Sequence, residues 1–172
     1  MIKLVRIDDR LIHGQVLIGW GEYINPDRFV LCSNEIASNQ WEKELYLSSA
    51  PSDIKISVFT VDETIENLKK GEFKKEKIIL LVESPEILIE LLDKGLEFNS
   101  VNIGGMHLKK NGLKILPYIY LDKKDINNFK LLSEKNIKLE CQELPDSKKY
   151  DLMKLLKPYL SDSNKEVENA EV

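Results

Sequence analysis

The chain has few of the residues that build metal centres, disulfide frameworks or membrane spans. Among its 172 residues are two cysteines and two histidines. No CxxC or HExxH motif occurs, so the spacing predicts no metal site, and we expect no cofactor. No apolar run approaches the roughly 18 residues of a membrane span. No basic region followed by a long apolar stretch indicates a signal peptide. These absences favour a cytoplasmic protein in a reducing compartment.

The net charge and composition of the chain indicate a globular protein that does not bind nucleic acid as its main partner. The net charge is −4 and the isoelectric point is near 5.4, which argues against nucleic acid because phosphate backbones are bound by basic surfaces. The hydrophobic share of 42% and charged share of 31% are ordinary for a globular protein. Cys32 and Cys141 lie in apolar runs, so we expect buried free thiols.

Strand-like and helix-like segments alternate along the chain. The predicted strands cover residues 2–5, 28–32, 55–59, 77–82, 100–103, 114–121 (interrupted by Pro117) and 137–141. The predicted helices cover residues 13–23, 34–49, 60 or 62 to 70, 87–94, 122–134 and 146 or 147 to 159. This alternation predicts an α/β fold with an open, mostly parallel, twisted sheet of about seven strands and helices on both faces. We expect one domain over residues 1–160 and a disordered acidic tail over residues 161–172.

The most informative segment is RIDDRLIHGQV, residues 6–16, which follows the first strand. Ligands in open α/β sheets bind at the carboxyl ends of strands. Arg6 and Arg10 can donate charge-assisted hydrogen bonds to phosphate oxygens. The imidazole of His13 is a competent nucleophile near neutral pH, and Asp8 or Asp9 can fix its tautomer. A capping or packing histidine is the simpler alternative, with the arginines as surface partners of the aspartates.

At this segment the chain resembles the IIB component of the mannose/fructose/sorbose family of the bacterial phosphoenolpyruvate-dependent sugar phosphotransferase system. The family signature matches all of residues 6–16, and Trp20 falls where the family has a tryptophan. Further likenesses are SNEIA at residues 33–37, VESP at 82–85 and the second marker, VNIGGM, at 101–106. The resemblance extends to about residue 160.

The resemblance implies a phosphohistidine carrier. It would accept a phosphoryl group from the IIA component and pass it to a sugar entering through the membrane components IIC and IID. The acceptor histidine maps to His13, through its Nδ1. The resemblance therefore implies a cytoplasmic phosphotransferase associated peripherally with the membrane transporter.

Within this interpretation, the other residues of the segment divide into two roles. The phosphoryl group is bound by Arg6, Arg10, Gly14 and Gln15. Asp8 and Asp9 orient the histidine.

The sequence does not decide the roles of two residues outside the segment. His107, just after the second marker, approaches the active loop in this interpretation, although a surface or packing role is simpler. Glu83 stands where many family members have a neutral or different residue, which would alter local charge or sugar choice.

Two other functions remain as alternatives. The chain could be a regulatory phosphoprotein of a phosphotransferase branch that lacks a cognate transporter. A nucleotide- or sugar-phosphate-binding module is the weaker alternative, because no glycine-rich phosphate loop follows a strand. The sugar stays open, since the membrane components select it in this architecture.

Overall fold

The computed structural model describes residues 1–50, 53–107 and 112–160. The strands are β1 (Ile2–Asp8), β2 (Arg28–Cys32), β3 (Lys55–Phe59), β4 (Ile78–Val82), β5 (Ser100–Gly105), β6 (Leu113–Leu116), β7 (Ile119–Leu121), β8 (Lys138–Cys141) and β9 (Tyr150–Asp151). The α-helices are α1 (Gly21–Ile24), α2 (Asn34–Ser38), α3 (Gln40–Ser48), α4 (Val61–Lys70), α5 (Pro85–Asp93), α6 (Lys123–Glu134) and α7 (Leu152–Leu160). A π-helical segment, Gln15–Trp20, precedes α1.

A seven-stranded sheet in the order β3-β2-β4-β1-β5-β8-β9 forms the centre of the molecule. Its pairings are parallel except that of β8 with the short edge strand β9. The α/β class and the sheet of about seven strands are therefore confirmed. Strand order reverses around β1, because the chain runs from β1 to one side of the sheet and later returns to the other.

Two apolar cores lie on opposite faces of the sheet. β4 contributes to both, since Ile78, Leu80 and Val82 enter one core while Ile79 and Leu81 enter the other. The first core receives side chains of α4, α5, α6 and α7, and the second those of the π-helical segment and α2. Helices thus cover both faces, as the continuous apolar pattern of β4 predicts for a buried parallel strand.

Several helix boundaries follow directly from capping residues. Thr60 and Glu63 form a capping box at the start of α4, and Gly71 ends it with a φ of 75°. Ser33 caps α2 by accepting a hydrogen bond from the Ile36 amide. Asp122 caps α6 in the same manner. Side-chain oxygens satisfy amides that a helix start leaves without partners.

Several predicted elements have other bounds in the structure. The first strand, predicted over residues 2–5, extends to Asp8, so Arg6 and Asp8 lie in β1 itself. The helix predicted from His13 begins at Gln15 as a π-helical segment. The helix predicted over residues 34–49 is two helices, because Asn39 is extended and caps α3. The strand predicted over residues 114–121 turns back near Pro117 to form the antiparallel β6–β7 hairpin. The last helix begins at Leu152, and the short strand β9 precedes it.

The remaining predictions concern the cysteines, the tryptophans and the tail. Cys32 and Cys141 are buried free thiols, as expected. Trp20 is buried and Trp41 is 72% exposed. The predicted disorder of residues 161–172 lies outside the described residues. Within the described ranges, no helix is long and apolar enough to cross a membrane.

Candidate active site

The active loop, residues 8–15, leaves the sheet at the carboxyl end of β1. β1 lies between β4 and β5, and its register with β5 shifts between Ile7 and Asp8. The loop turns at Leu11, whose φ of 52° is unusual for a residue with a branched side chain. The Leu11 side chain is buried in the second core, and its amide donates to the Asp8 carbonyl at 2.9 Å. Packing thus holds a strained turn at the site.

Asp8 is the centre of the loop and is fully buried. Its Oδ2 accepts hydrogen bonds from Arg6 Nη2 at 2.9 Å and His13 Nε2 at 3.0 Å. Its Oδ1 accepts from the Arg10 amide at 3.3 Å. Burial by itself would raise the pKa of Asp8, but the bond from His13 and the charges of Arg6, His13 and Arg10 together hold that pKa below its ordinary value. Asp8 is therefore a carboxylate at neutral pH.

This carboxylate determines which nitrogen of His13 is available. A carboxylate only accepts hydrogen bonds, so the proton of a neutral His13 ring lies on Nε2. Nδ1 then carries the lone pair. The His13 side chain is 17% exposed, which leaves it accessible at the surface of the loop. Of the two aspartates that the sequence left open as orienting groups, Asp8 is the one in contact with His13.

Arg6 lies beneath the loop rather than on its surface. Its side chain is fully buried, and its Nη atoms donate to the Gln142 carbonyl at 3.1 Å, the Glu143 carbonyl at 3.2 Å, Asp8 and the Asn102 side chain. Among the described residues, only Arg6 Nε is a buried side-chain polar atom without a hydrogen-bond partner. Because both Nη atoms are occupied by protein groups, the geometry gives Arg6 the role of holding Asp8. The binding of a phosphoryl group by Arg6, the role that the sequence predicts for it, stays a prediction.

Glycine at position 104 makes room for the Arg6 guanidinium. A Cβ atom at Gly104 would overlap the guanidinium carbon and both Nη atoms. The indole of Trp20 lies on another side, with its centroid 5.3 Å from Arg6 Cζ, and donates through Nε1 to the Glu143 carbonyl at 3.0 Å. The second sequence marker and Trp20 are therefore parts of one buried support around Arg6.

Arg10, Gly14 and Gln15 form the accessible rim. The Arg10 side chain is 40% exposed, and its Nη2 donates to Gln15 Oε1 at 2.8 Å. Gln15 Nε2 donates in turn to Glu143 Oε1 at 3.1 Å. Within the described part of the chain, Arg10 Nη1 forms no hydrogen bond, and a Cβ at Gly14 would meet no atom within 4 Å. The rim thus offers a cationic donor and open space beside His13.

The Asp9 side chain pairs with His107. Asp9 Oδ1 lies 2.5 Å from His107 Nδ1, and Asp9 Oδ2 accepts from the His107 amide at 2.5 Å. The Asp9 amide donates to the Gly105 carbonyl at 3.1 Å. His107 therefore contacts the active loop, as the sequence interpretation expects. Its partner there is Asp9, and among the described residues no hydrogen bond joins His107 to His13 or Asp8.

Three residues that support the loop were missed by sequence reasoning. Asn102 is buried and receives Arg6, while its Nδ2 donates to the Gln142 carbonyl at 3.3 Å. Its signal was present, since it is a polar residue in the buried strand of the second marker. Gln142 and Glu143 follow β8 and act largely through backbone carbonyls, which no side-chain pattern reveals.

An open groove of about 660 Å³ runs beside the loop. Gly14, Gln15 and the exposed side chains of Ile18 and Tyr23 line it. Leu144 also lines the groove. A shallow surface of this kind suits the approach of another protein better than it suits an enclosed small molecule. Over the described ranges, no group of three or more His, Cys, Asp or Glu residues could hold a metal ion.

The family model described as PTS system sorbose subfamily IIB component matches residues 2–168. The chain belongs to this family. IIB components accept a phosphoryl group from IIA and pass it to a sugar, so the chain is a phosphotransferase of the phosphotransferase system. The resemblance found at residues 6–16 is confirmed at the level of the family.

Characterised relatives agree along most of the chain. The fructose-specific EIIB component of Bacillus subtilis (strain 168) is 34% identical over 156 residues, which cover 91% of this chain and 96% of that protein. The mannose-specific EIIAB component of Escherichia coli (strain K12) is 33% identical over 156 residues, but these cover 48% of its length. The chain therefore spans about half of that relative. Relatives with such sugar-specific names do not favour the regulatory alternative.

Solved structures show the same fold. The IIBSor domain of the sorbose permease from Klebsiella pneumoniae has a TM-score of 0.87 and 25% identity, covering 92% of this chain and 97% of that domain. A structure described as phosphoenolpyruvate-dependent phosphotransferase system has a TM-score of 0.86 and 34% identity, covering 91% and 98%. The α/β architecture is thus that of IIB domains.

Proposed function

We propose that Nδ1 of His13 accepts the phosphoryl group from a phosphohistidine of IIA and passes it to the sugar. The observation that carries this proposal is the hydrogen bond of 3.0 Å between His13 Nε2 and buried, ionised Asp8. That bond keeps the proton on Nε2 and the lone pair on Nδ1. When phosphorus bonds to Nδ1, the ring becomes cationic, and the Asp8 carboxylate stabilises it.

Arg10 supplies positive charge to the phosphoryl group in transit. A metaphosphate-like transition state spreads negative charge over its equatorial oxygens, and guanidinium and backbone N–H donors can meet that charge without a metal. Arg10 Nη1 has no partner among the described residues, and the open side of Gly14 leaves space for the oxygens. Gln15 holds Arg10 in place through its Oε1 at 2.8 Å. Arg6 contributes indirectly, by fixing Asp8.

The partners and location follow from this role. The activity corresponds to that of a protein-Nπ-phosphohistidine–sugar phosphotransferase, with phosphorylated IIA as donor and the membrane components IIC and IID presenting the sugar. The chain would act on the cytoplasmic side, in peripheral contact with the transporter. Residues 1–160 would form its single domain. The relatives name fructose, mannose and sorbose as their own sugars, and a screen of such sugars is the natural way to find this chain's substrate.

A transfer assay tests the proposal. The chain is incubated with phosphorylated IIA and the label is mapped, with His107→Ala as a control for the only other histidine. We expect one label per chain, lost in His13→Ala and kept in His107→Ala. Addition of membranes containing IIC and IID should then move the label to one of the screened sugars. Stoichiometric label in His13→Ala would refute His13 as acceptor.

A further inference from the structure

A second surface lies at the same edge of the sheet as the active loop. A cleft of about 280 Å³, here called the acidic cleft, is lined by Glu35, Trp41, Glu42, Leu45, Tyr46 and Glu83 among others. Glu83 directly follows β4, and β4 pairs with β1, whose end carries the active loop. The acidic cleft and His13 are therefore one strand apart at the carboxyl edge. A partner that reaches His13 from this direction would also meet the cleft.

The carboxylates of the acidic cleft have no cationic partners in the described part of the chain. Among the described residues, no lysine or arginine forms an ion pair with Glu35, Glu42 or Glu83. By contrast, Glu76 at the opposite edge of the sheet forms ion pairs with Arg28 and Lys55. Ser33 Oγ donates to Glu83 Oε1 at 3.0 Å. Burial, and then the charges of Glu35 and Glu42, raise the pKa of Glu83 in spite of that bond. The cleft thus concentrates negative charge that a cation would stabilise.

Apolar side chains lie beside these carboxylates. Trp41 is 72% exposed and Leu45 is 55% exposed, and the two lie one turn apart on α3. No residue of α3 is buried. Exposed large aromatic side chains are enriched where proteins bind partners, and an indole or phenol ring can also attract a cation. The cleft therefore fits a segment that carries both positive charge and apolar side chains.

We infer that the acidic cleft docks a basic cytoplasmic loop of the membrane component, IIC or IID, during transfer to the sugar. We choose this partner because the negative charge of the cleft complements the cytoplasmic loops of membrane proteins, which carry an excess of lysine and arginine. The chain itself is acidic, with a net charge of −4. This inference rests on the proposed function, since it names the surface used in the second of its two transfers.

The test separates the two transfers. A variant with Glu35→Gln, Glu42→Gln and Glu83→Gln is compared with the wild type in phosphoryl uptake from IIA and in sugar phosphorylation by vesicles carrying IIC and IID. We expect uptake to be unchanged, while the KM for the chain in the vesicle assay rises about 10-fold, as for loss of complementary charge. Added salt should weaken the wild-type reaction with vesicles and have less effect on the variant. Trp41→Ala with Leu45→Ala should raise the same KM.

A matched control removes equal charge at the opposite edge of the sheet. Glu72, Glu97 and Glu134 are exposed and lie at the amino edge, so their replacement by glutamine should leave both transfers unchanged. Direct cosedimentation of the unphosphorylated chain with the vesicles should weaken for both cleft variants and stay unchanged for the amino-edge control.

Each contrary outcome has a distinct meaning. An unchanged vesicle reaction and unchanged cosedimentation in the cleft variant would overturn the docking inference, as would an equal loss in the amino-edge control. A loss confined to uptake from IIA would assign the cleft to IIA and also overturn it. Failure of the wild-type chain to take label on His13 would instead overturn the proposed function, and cosedimentation would still test the cleft.

Discussion

The active loop contains two adjacent aspartates, and each contacts a histidine in a different environment. Asp8 is fully buried, accepts hydrogen bonds from Arg6 and His13, and lies under a side chain that is 17% exposed. Asp9 and His107 are 30% and 45% exposed, and no arginine in the described ranges forms an ion pair or hydrogen bond with their side chains. Both pairs join a carboxylate to an imidazole, but Asp8 contacts Nε2 of His13 whereas Asp9 contacts Nδ1 of His107. The pairs therefore differ both in their surroundings and in the ring nitrogen that stays available.

Burial of the carboxylate distinguishes the proposed active pair, Asp8–His13, from the pair Asp9–His107. A buried ion pair is costly unless its geometry is good and its remaining hydrogen bonds are satisfied. Arg6 meets most of that requirement for Asp8, because its two Nη atoms donate to four acceptors and, among the described residues, only its buried Nε lacks one. An exposed pair such as Asp9–His107 contributes little on its own, about 0–1 kcal/mol. Accordingly, we expect His13 to depend strongly on Asp8 and only weakly on the second pair.

The largest expected effect is that of Asp8→Asn. The amide that replaces the carboxylate can present its NH₂ group to the His13 ring, so the proton of the ring is no longer fixed on Nε2. A neutral amide also cannot stabilise a cationic phosphoimidazole as the carboxylate does. We expect the rate of phosphoryl uptake from IIA to fall roughly 100-fold or more, measured by rapid-quench labelling. Asp9→Asn is the matched control and should cost only a few-fold. Equal losses in the two variants would remove the distinction between the pairs.

Gly104→Ala should displace Arg6, which holds Asp8 of the Asp8–His13 pair. Its Cβ would overlap the guanidinium of Arg6, so either Arg6 or β5 must move. We expect a loss of about 1–3 kcal/mol in the free energy of unfolding, measured by denaturant titration, together with slower phosphoryl uptake. Gly14→Ala is the control, because its Cβ meets nothing within 4 Å and its φ of −53° suits any residue. A Gly104→Ala variant as stable as Gly14→Ala would contradict the packing described around Arg6.

Acid should destabilise the protein partly through Asp8. The pKa of Asp8 in the folded state lies below the ordinary value of 3.8. Ionised Asp8 therefore stabilises the fold above that ordinary value, and the contribution is lost as pH falls through the lower, folded-state pKa. The free energy of unfolding measured below about pH 4 should fall less steeply with decreasing pH in Asp8→Asn than in the wild type. Parallel curves for the two proteins would indicate that Asp8 is not held ionised by its partners.

His107→Ala should have the smallest effect. It removes the 2.5 Å contact with Asp9 Oδ1 and leaves Asp8, Arg6 and His13 untouched. We expect uptake to slow only a few-fold, in line with the small energies of exposed pairs, and His107→Asn to restore part of it by offering a nearby donor. A loss comparable to that of Asp8→Asn would mean that the second pair takes part in the chemistry.

Much of the fold and the centre of the site could be predicted from the sequence, and the reasons are local. Thr60, Gly71 and Asp122 mark helix ends by chemistry that needs only neighbouring residues. The proposal that His13 is the acceptor comes from its strand-to-helix position and from the motif of residues 6–16, and it stays a prediction. The choice between Asp8 and Asp9 could not be made, because they are adjacent and differ only in how β1 and β5 bury one of them.

The parts that could not be predicted depend on distant contacts. Arg6 looks like a surface phosphate ligand in sequence, but Asn102 and the carbonyls of Gln142 and Glu143 enclose it. These partners lie 96 to 137 positions away along the chain. The π-helical start at Gln15 likewise depends on packing of Val16 and Trp20 in the second core.

The central claim is that the buried Asp8 pair directs the phosphoryl group to one nitrogen of one ring. Nuclear magnetic resonance of the chain labelled with ¹⁵N in histidine, phosphorylated by IIA, measures this directly through the ¹⁵N shifts and the coupling to ³¹P. We predict one phosphoryl group per chain, bonded to Nδ1 of His13, with a proton retained on Nε2. A phosphoryl group on Nε2 of His13, or on His107, would contradict the account.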